Sequence, residues 1–178
     1  QEYPGLAESV RRGLETTGEA RWLLWGAYRG RNLLGGQIAQ IQPGRTALVW
    51  PPRFKTDQPP EVVLALVEGL CEKLAMRGVN LAYTFLESDR GADSRLMQVA
   101  GFSFLVQLLY LVSREQEFPS VCPSSELSFE PYGPENHHRL LRTIEATYVQ
   151  TLDCPRLNEK RDIEDVARGY RATGVHRP

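Results

Sequence analysis

The residues whose types suggest chemistry gather at a few junctions. Ala47-Leu-Val-Trp-Pro-Pro-Arg53 ends an apolar strand on an indole, two prolines and a guanidinium, and Lys55 follows two residues on. Open sheets with a parallel crossover tend to bind ligands beyond the carboxyl end of such a strand, so function turns on what this junction holds. Glu87 stands just past a later strand, and Thr151-Leu-Asp-Cys-Pro155 sets the Asp153 carboxylate beside the Cys154 thiol in a loop. On local grounds Glu87 is a solvated loop acid and Asp153 a turn former bonded to nearby backbone N–H groups. The cysteines (Cys71, Cys122, Cys154) and the histidines (His137, His138, His176) show no spacing that would hold a metal. An odd cysteine count without paired spacing argues against a disulfide framework and suits a reducing cytoplasm. Cys71 falls on an apolar helix face, where a thiol is buried and inert. His137 and His138 fall on the solvent face of a helix.

The elements that position these residues follow from periodicity. The 178 residues suffice for one domain with a core, or one domain and part of another. Hydrophobic residues make up 42% and charged residues 24%, and the formal net charge is −1, so no global field favours nucleic acid or an anionic membrane. No apolar run reaches the roughly 20 residues of a membrane helix. The chain begins at Gln1 rather than Met, which suggests a segment upstream.

In order along the chain, Leu6, Val10 and Leu14 mark an amphipathic helix over Leu6–Thr17 that stops at Gly18. Arg21–Tyr28, Leu33–Ile41 and Thr46–Trp50 read as strands of an antiparallel meander, with turns at Arg29–Asn32 and Gln42–Arg45. Pro51 and Pro52 stop the third strand, and Arg53–Gln58 reads as a polar loop. Pro59-Pro60 opens a helix with Val63, Leu66, Val67, Leu70 and Leu74 on one face, ended by Gly78. Val79–Leu86 then reads as a strand parallel to the third, reached by a right-handed crossover. Ala92–Ala100 is a short helix capped by Gly101, and the nearly all-apolar Phe104–Val112 has the pattern of a strand covered on both faces. The fold class is thus α/β with a mixed sheet over residues 1–113. A linker at 114–126 leads to a strand–helix–helix segment at 127–178: a strand at Leu127–Tyr132, a helix at Pro134–Tyr148, and a last helix capped by Asn158.

This order, with the hairpin ending in Ala47-Leu-Val-Trp50, the crossover helix from Pro60 and the string Leu96-Met-Gln-Val-Ala-Gly-Phe102, resembles the GNAT (N-acetyltransferase) superfamily over residues 6 to 112. Leu127-Ser-Phe-Glu-Pro-Tyr132 and the two helices after it resemble the opening of a second GNAT domain, as in tandem members. The front of the chain starts at what would be the second helix of the fold. Either two domains follow one another, or the tail supplies the missing first strand in cis or by exchange in a homodimer, since an unpaired edge invites association.

The resemblance implies acetyl-CoA as cofactor and an N-acetyltransferase acting on a small-molecule or peptide amine. It implies that strand-four amides at Val49 and Trp50 hold the pantetheine arm, and that the stretch Arg53-Phe54-Lys55 with the next helix N-terminus holds the pyrophosphate. Here the two glycine positions of that loop carry Thr56 and Gln58, and Asp57 adds negative charge. Glu87 becomes the candidate general base. Alignment on Ala100-Gly-Phe102 puts Met97 where the superfamily usually has a tyrosine acid, and Tyr83 or Tyr110 would have to substitute. In the second segment, Asp153 would bind the amine, with Cys154 beside it. Trp50 either lines the pantetheine channel or packs in the core. The alternative function is a non-catalytic GNAT-like structural or interaction domain with a degenerate cofactor loop.

Overall fold

Residues 11, 21–109, 111–117, 128, 130–151, 154–157 and 160–172 are described in the structure, a computed structural model. The helix expected at Leu6–Thr17 lies outside these apart from Arg11, as do Tyr110, Cys122, Asp153 and Asn158. The chain divides into two compact units, residues 1–104 with 168–178 and residues 105–167.

Glycines set the meander of the first unit. Strands β1 (Trp22–Arg29) and β2 (Asn32–Gln42) are joined at Gly30-Arg31, with Gly30 at φ 60°, the first central position of a type II′ turn. Strand β3 (Thr46–Val49) follows a Pro43-Gly44 turn with Gly44 at φ 82°, as a type II turn requires of its second central residue. β2 pairs antiparallel with β1 and β3. Helix α1 (Pro60–Met76) then crosses over to β5 (Leu81–Tyr83), which runs parallel to β3, giving the order β1-β2-β3-β5. The sheet is therefore mixed and open.

Alternation along the strands sends Leu23, Trp25, Ala39, Ile41, Ala47 and Val49 to one face, where they meet Leu70 and Leu74 of α1 and Met97 of α2 (Ala92–Val99). Trp25 lies against Gly69 of α1, and a Cβ there would sit 3.0 Å from the indole nitrogen. Both helices end alike. After α1, Gly78 at φ 78° and Val79 donate to the carbonyls of Ala75 and Leu74; after α2, Gly101 at φ 91° and Phe102 donate to Gln98 and Met97. These are Schellman endings, and each turns an apolar residue, Val79 or Phe102, back onto the core.

Cys71 is half-buried on α1, and burial first, then the nearby Glu68 carboxylate, pushes its thiol pKa up. Alkylation by iodoacetamide is therefore expected to be slower than for a free cysteine at neutral pH, with a rate that rises with pH to a midpoint above the ordinary thiol value. Mass spectrometry of the Cys71 peptide over a pH series checks this. The raised pKa also means that the folded thiol holds its proton more tightly than the unfolded one. Its contribution to stability is present below the ordinary thiol pKa and is lost as pH rises through the folded value.

Four expectations are corrected. Arg53–Gln58 is not all loop: Arg53–Phe54 form a further strand, β4, paired with Gly36 and Gly35 of β2. The strand expected at Val79–Leu86 is limited to Leu81–Tyr83, because its ladder to β3 covers only those residues. Residues 102–109 and 111–114 are not in a strand, and Phe104, Leu108, Leu109, Leu111 and Val112 are 50–91% exposed. Apolar content marks a segment as strand-competent, but a strand exists only where a ladder satisfies its backbone. The same holds for residues 128 and 130–132, where a strand was expected and no ladder forms.

The second unit contains α3 (His137–Tyr148) and the start of α4 (Ile163–Arg171). Ile144 packs with Val166 and Ala167, flanked by Leu140, Leu141, Tyr148 and Ile163. Asp162 caps α4: its Oδ1 accepts the amides of Glu164 and Asp165 at 3.0 and 3.2 Å, while the expected cap, Asn158, lies outside the described residues.

Candidate functional site

The strand-end junction is built on a β-bulge. Val49 pairs with Ala39 and Arg53 with Gly36, so four steps along one strand oppose three along the other. Pro51 and Pro52, which have no N–H to give to a ladder, fill the gap. On either side the ladder continues: Trp50 N–H donates to Ile38 at 3.0 Å and Lys55 N–H to Leu34 at 2.9 Å. β4 is thus β3 resumed, not a loop. Buried Gln37 donates its Nε2–H to the Trp50 carbonyl at 3.0 Å, and its Oε1 is buried with no hydrogen-bond partner among the described residues. Trp50 stacks on Trp22 with ring centroids 5.9 Å apart, which is packing across the sheet. The parallel ladder to β5 ends at Leu48↔Tyr83, so Val49 and Trp50 lie beyond the last pair, where β3 and β5 part.

Arg53 does not face an open phosphate site. Its guanidinium grips Asp93 of α2 by two bonds of 3.0 and 2.8 Å, and donates to the Pro52 carbonyl at 3.1 Å. Such a bidentate fork uses the geometry that would clamp a phosphate. Phe54 lays its ring over Gly35. Gln58 closes the following bend on Thr56, donating to its carbonyl and hydroxyl at 3.1 and 3.0 Å.

The start of α1 is also poor in donors. Pro59 and Pro60 have no amide N–H, the Val62 and Val63 amides return to the Pro59 carbonyl, and Glu61 brings a carboxylate into the first turn. Helix N-termini hold anions through unpaired amides and the helix dipole. With the prolines, Asp57 and Glu61 in place, the helix start is short of the unpaired amides and positive potential that the diphosphate of acetyl-CoA calls for, so these residues fit it poorly. Lys55 is exposed and adds one cation near the bend.

Of the other implied residues, Glu87 is exposed on the loop past β5, at the carboxyl end of the parallel pair. Tyr83 donates its hydroxyl to Gln42 Oε1 at 2.5 Å and packs edge-on to Phe85, so it serves the sheet rather than standing free as an acid. Met97 is 1% exposed in the core. Cys154 is half-buried beside the short turn Pro155–Leu157, and its neighbour Asp153 is outside the described residues. The junction therefore brings together Val49, Trp50, Arg53, Phe54 and Lys55. Asp93, 40 residues away in sequence, joins them, and no local pattern announces that pairing. Among the described residues, no group of three or more His, Cys, Asp or Glu could hold a metal ion, and no helix is long and apolar enough to cross a membrane.

No protein-family model and no curated protein sequence matches the chain. Among solved structures it is similar to an aminoglycoside acetyltransferase from an uncultured soil metagenomic sample, solved in complex with sisomicin. That match has 10% identity and a TM-score of 0.48, and covers 61% of this chain and 73% of the other.

Proposed function

We propose that the chain is of GNAT type and belongs to N-acyl transfer, and that residues 21–104 serve as its structural half rather than as the half that holds acetyl-CoA. The meander, the crossover helix and the parting of β3 from β5 beyond Leu48 support the family reading. The observation that carries the non-catalytic role is the locked junction: Arg53 committed to Asp93, followed by Pro59-Pro60 at the helix start. Residues 127–178 would then open a second GNAT-like domain, with Asp153 and Cys154 in its acceptor loop and an amine as the acyl acceptor. Glu87 would be a loop acid and not a base.

Isothermal calorimetry of the chain with acetyl-CoA tests this. The expected result is no saturable heat up to millimolar cofactor, and the same for an Asp93→Asn variant that releases Arg53. Saturable binding that a Lys55→Glu reversal weakens would place the cofactor at the junction after all and restore the catalytic reading.

A further inference from the structure

His137 is engaged on both ring nitrogens. The Tyr132 hydroxyl lies 3.0 Å from Nδ1, and Nε2 sits 3.1 and 3.2 Å from the two carboxylate oxygens of Glu164. We propose that Tyr132, His137 and Glu164 form a proton relay that arms the Tyr132 phenol to accept an acyl group from an activated ester. This site lies wholly in the unit of residues 105–167 and does not depend on the reading of the strand-end junction.

The bonding pattern dictates the roles. A carboxylate only accepts, so Glu164 takes the Nε2–H and holds the imidazole in that tautomer. Nδ1 then carries the lone pair, and it faces the phenol O–H. A nucleophile, a base within hydrogen-bond reach and a third group that orients the base are the parts of an activated-nucleophile site.

The fold holds each part in place. Asn136 accepts the Gly133 amide at 2.9 Å and donates to the Pro131 carbonyl at 2.9 Å, which pins the backbone on both sides of Tyr132. His137 opens α3, and Glu164 lies in the first turn of α4, whose start Asp162 caps. Packing of Ile144 on Val166 and Ala167 keeps the two helices together. Arg139, two residues on in the first turn of α3, pairs with Glu130. Tyr132 is 40% exposed, so its ring borders solvent.

In the acylation step the phenol oxygen bonds to the acyl carbon while its proton passes to His137 Nδ1. The bond from the acyl carbon to the leaving oxygen breaks, and that oxygen departs with the electron pair and can regain the proton from the imidazolium. No oxidant or metal is required.

The test exposes the full chain to p-nitrophenyl acetate and follows acetyl-tyrosine by peptide mass spectrometry. Tyr132 is expected to acetylate about tenfold or more faster than Tyr28, which is 64% exposed on β1. His137→Gln and Glu164→Gln should each bring Tyr132 down to the Tyr28 rate, and Tyr132→Phe should remove the label from that peptide. Nitrogen-15 spectra of wild-type protein should show the proton on Nε2. Equal rates at Tyr132 and Tyr28, or acetyl groups on His137 in place of Tyr132, would overturn the proposal. So would an unchanged Tyr132 rate in either variant with helical circular dichroism intact. Should His137→Gln lose its fold, the exposed Glu164→Gln variant decides the matter.

Discussion

Replacing Leu70 by alanine is expected to lower the unfolding free energy of the unit built on residues 21–104 by about 2–5 kcal/mol. Leu70 is fully buried on α1, at the point where the helix meets Leu23, Ala39 and Val49 of the sheet. Truncation removes its transfer free energy, and it leaves a cavity between a rigid helix and a paired sheet that cannot collapse onto it. The exposed Glu72→Ala on the same helix should stay within about 0.5 kcal/mol of wild type, since it touches no core. Trp22, Trp25 and Trp50 are the protein's three tryptophans and all lie on this sheet, so urea titration followed by tryptophan fluorescence reads this unit alone. A Leu70→Ala loss below about 1 kcal/mol would mean that α1 is not seated as described.

Gly35→Ala is expected to cost about 1–3 kcal/mol through overpacking. A Cβ at Gly35 would stand 2.5 Å from the Arg53 carbonyl oxygen and closer still to the Phe54 ring. Backbone cannot give way as a flexible side-chain tip can, so β4 must shift off β2. The cost should come with a local change: faster amide exchange at Lys55, whose N–H bonds to the Leu34 carbonyl, and a weaker Arg53–Asp93 pair. That pair is partly exposed and contributes only about 0.2–1 kcal/mol itself, so most of the loss belongs to the strand. If Gly35→Ala unfolds at the wild-type urea midpoint and Lys55 exchange is unchanged, the Phe54–Gly35 contact is not what holds β4.

Much of the first unit was legible because its signals are local. Gly30, Pro43-Gly44, Gly78 and Gly101 stand where the turns and helix ends require positive φ or a proline. The Leu66, Val67, Leu70, Leu74 face of α1 buries as its spacing predicts. What failed to show was pairing. Arg53-Phe54 looked like loop because two prolines precede it, yet a ladder resumes past a break when a glycine opposite admits the ring. Phe104–Val112 looked like a strand because it is apolar, yet composition does not supply a neighbouring edge. At the junction, the expected cofactor residues are adjacent in space, but the fork between Arg53 and Asp93 joins positions 40 apart, which no window of sequence contains. Likewise His137 read as a solvent-facing side chain until Glu164, 27 residues on, closed the relay.

The bulge at Trp50–Pro52 also acts on parity. Side chains on a strand alternate in period two, and before the bulge the odd-numbered Ala47 and Val49 point to the helix-covered face. After it the even-numbered Phe54 stands opposite Gly35 on that face, and Arg53 takes the other. One surplus residue has switched the reading frame of the strand. Were the same residues paired without the bulge, Arg53 would fall opposite Gly35 on the helix-covered face and Phe54 opposite Leu34 on the other. The proline pair is thus a frame-shifting element as much as a stop.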